Sequence, residues 1–199
     1  MRRVATILML LLVMAATSTA KAQWRYGLQL GGDFANASLS RAEGYKMVNR
    51  SGFRGGVTFE YQMPTNGLAF DGSLLYTRYN ARLSYEGGKA FSYGRDFLEA
   101  AVNIKHKFFL SSTRKLVAPL IYTGPSLMIG LDRKDGPLRQ YRLLPCWNVG
   151  AGIDIVNFIQ ITAGYSFGLG NSVDRFTGAE DARLYTDGIH VSAVILFDF

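Results

Sequence analysis

Apolar and polar residues alternate with a period of two along most of this chain, in segments of about ten residues separated by turn-forming clusters. The last segment, "GIHVSAVILFDF" (188–199), sets the pattern. Phe199, Phe197, Ile195, Ala193 and Val191 fall on one phase, and Asp198, Leu196, Val194, Ser192 and His190 on the other. Successive side chains of a strand point to opposite faces, so one face here is wholly apolar and the other mixed. Seven further segments repeat the design, at 24–34, 52–63, 68–79, 96–109, 116–130, 146–156 and 158–170. The spacing predicts eight strands and an all-β fold.

Each clean segment separates its two faces by charge. Trp24, Tyr26, Leu28, Leu30 and Phe34 oppose Arg25, Gln29 and Asp33, and Phe53, Val57, Phe59 and Tyr61 oppose Arg54, Thr58, Glu60 and Gln62. Likewise Leu98, Ala100, Val102, Ile104 and Phe108 oppose Glu99, Asn103, Lys105 and Lys107, and Ile159, Ile161 and Tyr165 oppose Gln160, Thr162 and Ser166. The fifth segment is the least regular, because Pro119 and Pro125 interrupt it.

The connections alternate in length. "PTNG", "LSSTRK" and a "VNF" corner are short, whereas 35–51, 80–95, 131–145 and 171–187 are long and polar. Short turns at one end and long loops at the other, on an even number of strands, are the layout of a transmembrane barrel with both termini in the periplasm. A lipocalin-like barrel could show the same alternation with its apolar face inward. Three features favour the apolar face outward. Aromatic residues (Trp24, Tyr26, Phe59, Tyr61, Phe108, Trp147, Phe158, Phe197, Phe199) lie mainly toward the short-turn ends, as an interfacial girdle requires. Arg25, Arg54, Lys105 and Lys107 on the other phase are matched by Asp33, Glu60, Asp71, Glu99, Asp154 and Asp198, a set that can pair across a narrow interior. Pairing the final strand with the first would leave no free edge.

The first 22 of the 199 residues change the charge balance. "MRR", the apolar run "VATILMLLLVMAA" and the Ala20-Lys21-Ala22 site read as a signal peptide, 1–22, ahead of a single barrel domain, 23–199. Removing it takes away Arg2, Arg3 and Lys21, so the formal net charge falls from +7 to +4. Cys146 is the only cysteine and forms no internal disulfide.

In order and spacing, "DFLEAAVNIKHKF", "PLIYTGPSLMIG", "WNVGAGIDI" and "GYSFGLGN" resemble the strands of the PorT-like outer membrane β-barrel family of Bacteroidetes. The chain departs from that pattern at Gly164, where a large residue often precedes the Tyr. The resemblance implies the fold and an outer membrane location. One namesake member takes part in protein secretion. The aromatic end, Phe197 and Phe199, resembles the signal read by barrel-assembly machinery.

Candidate chemistry is sparse. His190 and Ser192 form a His-x-Ser pair like that of lipid A deacylase barrels. Their phase, opposite Phe197 and Ile195, turns them inward, away from a lipid substrate, so they are expected to be interior hydrogen-bonding groups. His106 falls on the apolar phase near a short turn, as an interfacial ring. The polar loops carry Arg41, Lys46, Arg50, Arg82, Lys89, Arg133, Lys134, Arg139, Arg142, Arg175 and Arg183 among acids, either a solvated surface or a contact for lipopolysaccharide phosphates.

The expectation is an eight-stranded antiparallel up-and-down transmembrane β-barrel of a Gram-negative outer membrane. Its role is structural, in interaction, or accessory to secretion. The alternatives are a lipid A-modifying enzyme and a narrow channel. No catalytic, cofactor-binding or metal-binding residue is assigned. The expected partners are outer membrane lipids and lipopolysaccharide, the barrel-assembly machinery during biogenesis, and other envelope or secretion proteins. Nucleic acid is excluded.

Overall fold

The alternating segments become eight long strands in the computed structural model, which describes residues 23–40, 45–63, 67–85, 90–108, 117–131, 138–140, 142–156, 158–170, 173–176 and 183–198. They are β1 (Gln23–Ser40), β2 (Tyr45–Gln62), β3 (Leu68–Tyr85), β4 (Ala90–Lys107), β5 (Val117–Gly130), β7 (Leu143–Ile155), β8 (Ile159–Gly168) and β10 (Arg183–Asp198). Two short strands, β6 (Leu138–Gln140) and β9 (Val173–Phe176), form a separate ribbon. The region read as a signal peptide and the terminal Phe199 lie outside the described residues.

Each long strand pairs antiparallel with its neighbours, and β10 pairs with β1 to close the barrel. Following the register from Gln23 through Gln62, Ala69, Lys105, Tyr122, Gly150, Gly164 and His190 returns to β1 at Asp33. The path climbs β1 in one circuit, so the strands tilt, by roughly 35–45° in barrels of this kind.

The phase sorts two environments. Leu30 is 61% exposed and Glu60 0%. Outward positions of the band are apolar or aromatic apart from His106 and Thr123. The Thr123 hydroxyl donates to the Asn148 carbonyl (3.0 Å) and accepts from the Trp147 indole N–H (2.9 Å), so it needs no water. Two aromatic girdles bound the band. At the short-turn end Trp24 packs on Tyr61 (4.8 Å between centroids), Tyr26 and Phe158 on Phe197 (5.5 and 5.8 Å), and His106 edge-on to Phe108 (4.7 Å). Trp147 belongs to the opposite girdle instead, with Phe34, Phe53, Tyr76, Tyr165 and Phe167, because β7 descends from Leu143 and reaches Trp147 early. Leu28, Val57, Leu74, Val102, Ile121, Val149 and Ile161 fill the belt between.

The long loops predicted at 35–51 and 80–95 are largely strand. β1 and β2 leave only 41–44 between them, and β3 and β4 only 86–89. They escaped the sequence pattern because the polarity of the phases reverses there. On β3 the outward phase runs Leu74, Tyr76, then Arg78 and Asn80, while the inward phase runs Asp71, Ser73, Leu75, Thr77, then Tyr79. Just above the upper girdle, at Arg78, Tyr79 and Asn80, β3 therefore takes the polarity of a water-soluble barrel. In 131–145 and 171–187, β6 and β9 pair and β7 and β10 begin earlier than predicted.

At the short-turn end, β7 and β8 meet in a tight turn closed by the Phe158 N–H and the Ile155 carbonyl (3.0 Å). Val156 sits there at φ 55°, a conformation that costs a β-branched residue about 1–2 kcal/mol. Replacing Val156 by Asn, which tolerates that conformation, is expected to stabilise the refolded protein by about 1 kcal/mol. The shift in its urea midpoint measures this; an unchanged or lowered midpoint contradicts it.

Candidate functional site

Five cations and five carboxylates of the described residues are buried in the interior; Arg95 packs high in the barrel, and the other nine are Arg25, Arg54, Lys105 and Lys107 with Asp33, Glu60, Asp71, Glu99 and Asp154. Asp198, predicted to join them, is exposed, because β10 ends at the barrel rim one residue past Phe197. The nine sort into two layers.

The layer near the short turns centres on Glu60. Its carboxylate pairs with Arg25 from β1 and accepts from Lys107 (2.7 Å) and Lys105 (3.4 Å) of β4 and from the Gln160 amide of β8 (2.9 Å). Lys107 also meets Asp154 of β7 (2.6 Å), and Lys105 meets Asp71 of β3 (2.9 Å). Strands β1, β2, β3, β4, β7 and β8 are thus tied together across the barrel. Desolvating so many charges is offset only by such mutual pairing.

The layer near the upper girdle is split. On one wall Arg54 donates to Asp33 (2.9 Å) and Glu99 (3.0 Å), and Thr77 donates to Glu99 (3.2 Å). On the other wall the groups are neutral. Tyr122 Oη and His190 Nε2 are 2.7 Å apart, Ser166 Oγ lies 3.3 Å from His190 Nδ1, and Ser166 donates to Asn148 (2.7 Å). Tyr122 reaches His190 across two intervening strands because its ring lies over Gly150 and Gly164; a Cβ on either would overlap it. This is a physical reason for small residues in both places, and it accounts for the departure at Gly164.

Between the layers is a cavity of about 30 Å³ lined by Gln29, Ser73, Asn103 and Thr162 together with Asp71 and Glu99. That is room for one or two water molecules, far short of an aqueous passage. Above the upper layer, Tyr79, Phe97, Met128, Leu144 and Cys146 pack as an apolar cap, and the Arg95 guanidinium sits 5.0 Å from the Phe97 ring centre. Apart from that cavity, the described interior side chains pack from the Glu60 layer up to this cap.

His190 and Ser192 are both inward and buried, as their phase required. They do not act on each other: His190 is engaged by Tyr122 and Ser166, and the Ser192 hydroxyl has no hydrogen-bond partner among the described residues. His106 faces outward at the lower girdle. The sequence reading missed Tyr122, Asn148 and Gln160 as interior partners; the in-register glycines at 150 and 164 were the available signal for Tyr122.

Solved structures share this fold. The outer membrane protein OprG from Pseudomonas aeruginosa matches with a TM-score of 0.60 at 9% identity, over 89% of this chain and 97% of that one. Neisserial surface protein A (NspA) matches at 0.52 and 19%, over 86% and 97%. The chain has the fold of the outer membrane β-barrels. Comparison with protein-family models gives no match, and comparison with curated proteins gives none either.

Two substitutions probe the interior. Glu60→Gln leaves Lys105, Lys107 and Arg25 short of a counter-charge and is expected to cost about 3–5 kcal/mol. Gly164→Ala, which drives Tyr122 off its seat, is expected to cost about 1–3 kcal/mol. Denaturant titration of refolded protein reads both, and a neutral Gly164→Ala would contradict the seating of Tyr122.

Proposed function

We propose that this chain is a small non-enzymatic barrel of a Gram-negative outer membrane, similar to the PorT-like barrels, with a structural, interaction or secretion-accessory role. One observation carries the reading: an apolar wall broken only by His106 and Thr123 among the described residues faces outward, while ten charged side chains are buried inside. In water that wall would be an apolar surface far larger than soluble monomers present. Only hydrocarbon suits it, and a closed barrel is one of the two structures that satisfy their own backbone there. The band between the girdles spans about ten residues per tilted strand, the length a bilayer requires.

The short turns would then face the periplasm and the long extensions the exterior, with 1–22 directing export and the last strand engaging the assembly machinery. A filled interior supports a strut rather than a pore. The hydrogen bonding of His190 supports a structural part for it, in place of the acid–base part a deacylase would need. Function then falls to the rim and the outer wall, where lipids, lipopolysaccharide or other envelope proteins are within reach.

The refolded chain is expected to migrate faster on SDS gels before boiling than after, and Val102→Arg, on the lipid-facing belt, to weaken insertion by about 2–4 kcal/mol. A chain that stays monomeric in water without detergent contradicts the reading. Planar bilayers containing the protein are expected to be electrically silent; steady single-channel steps would replace the strut by a channel.

A further inference from the structure

The two ionic layers do not balance alike. Near the short turns, Arg25, Lys105 and Lys107 meet Glu60, Asp71 and Asp154, three charges against three. Near the upper girdle the single guanidinium of Arg54 serves both Asp33 and Glu99. The fifth buried cation, Arg95, packs above them on the Phe97 ring. The layers on either side of the small cavity therefore carry one carboxylate in excess.

Three residues lining that cavity each hold a buried side-chain oxygen with no hydrogen-bond partner among the described residues: Asp71 Oδ1, Glu99 Oε1 and Asn103 Oδ1. All three residues are at least nine-tenths buried. The other oxygens of the two acids are already engaged, that of Asp71 by Lys105 and that of Glu99 by Arg54 and Thr77. The three residues stand on successive inward rungs of the β3–β4 ladder, Asp71 with Asn103, Ser73 with Ala101, and Leu75 with Glu99. The small side chains of the middle rung leave the space between them.

An unpaired buried acceptor is costly, and three of them around one space select what fits there. Water brings two hydrogens and no charge, so it leaves an oxygen unpaired and the excess carboxylate uncompensated. A hard cation binds through oxygen alone. No trio of His, Cys, Asp and Glu placed to hold a metal is found among the described residues, which leaves the set short of a zinc or calcium site. A divalent ion would also overshoot the single excess charge.

We propose that this cavity binds one monovalent cation of sodium size, with Asp71, Glu99 and Asn103 supplying its protein oxygens. The ion neutralises the interior, and because eight strands surround the site, its uptake is coupled to closure of the barrel. The site is independent of whatever the rim or the outer wall contacts.

The test uses the refolded full chain in phosphatidylcholine vesicles, whose headgroups carry no net charge. Urea unfolding is followed in sodium chloride and in choline chloride of equal ionic strength, choline being too large for a space of about 30 Å³. The folding equilibrium constant is expected to be larger in sodium, rising roughly tenfold for each tenfold rise in sodium above the dissociation constant. Glu99→Gln removes the excess charge and keeps the shape, and is expected to lose that dependence. Asn103→Ala removes a neutral ligand and is expected to need roughly tenfold more sodium for the same gain. The sodium NMR line is expected to broaden when the folded chain is added and to stay narrow with Glu99→Gln. If Glu99→Gln does not refold, Asn103→Ala and the line width of the unaltered chain decide the matter. Equal midpoints in sodium and choline without line broadening would give the cavity to water or to a proton on a carboxyl, and overturn the proposal. A sodium dependence that both variants keep unchanged would place the ion elsewhere and overturn it too.

Discussion

Closing eight strands leaves a cylinder too narrow for bulk water, so each charge turned inward has to find its counterpart on another strand. Glu60 shows how strong that constraint is. Its two oxygens take bonds from β1, β4 and β8, and its partners Lys105 and Lys107 pass the connection on to β3 and β7. The circle of strands is therefore fixed twice, by the backbone ladder at its wall and by ionic ties across its diameter. The upper layer does the same with different chemistry, ionic on β2 and its neighbours and neutral on the wall where Tyr122 spans to His190.

The two-residue period made much of this legible. Alternation placed Arg25, Glu60, Glu99 and Lys107 on one phase and their apolar neighbours on the other, and the barrel keeps that division. The last strand's phase also separated His190 and Ser192 from lipid before any distance was known. Geometry across strands was not legible. Nothing local says that Gln160 reaches Glu60, or that Tyr122 crosses two strands to His190, because those contacts depend on the stagger of the whole barrel. Trp147 was misplaced for a related reason: a girdle depends on height, and height follows from where each strand starts. The extensions of β1 to β4 were read as loops because a polar outward face above an apolar one breaks the expected pattern halfway along a strand.

That break in pattern also protects the fold from error. A single β3 strand presents two opposite solvents in succession, with Leu74 outward below the girdle and Arg78 outward above it. Suppose the strand slipped by one residue against β2 or β4. Below the girdle Asp71 and Ser73 would turn toward hydrocarbon, and above it Tyr79 would turn toward water while Arg78 turned inward. Neither half could gain from the slip to compensate the other, since both demand the same alignment from opposite directions. The reversal acts as a checksum on register, written twice along one strand in contrary polarity.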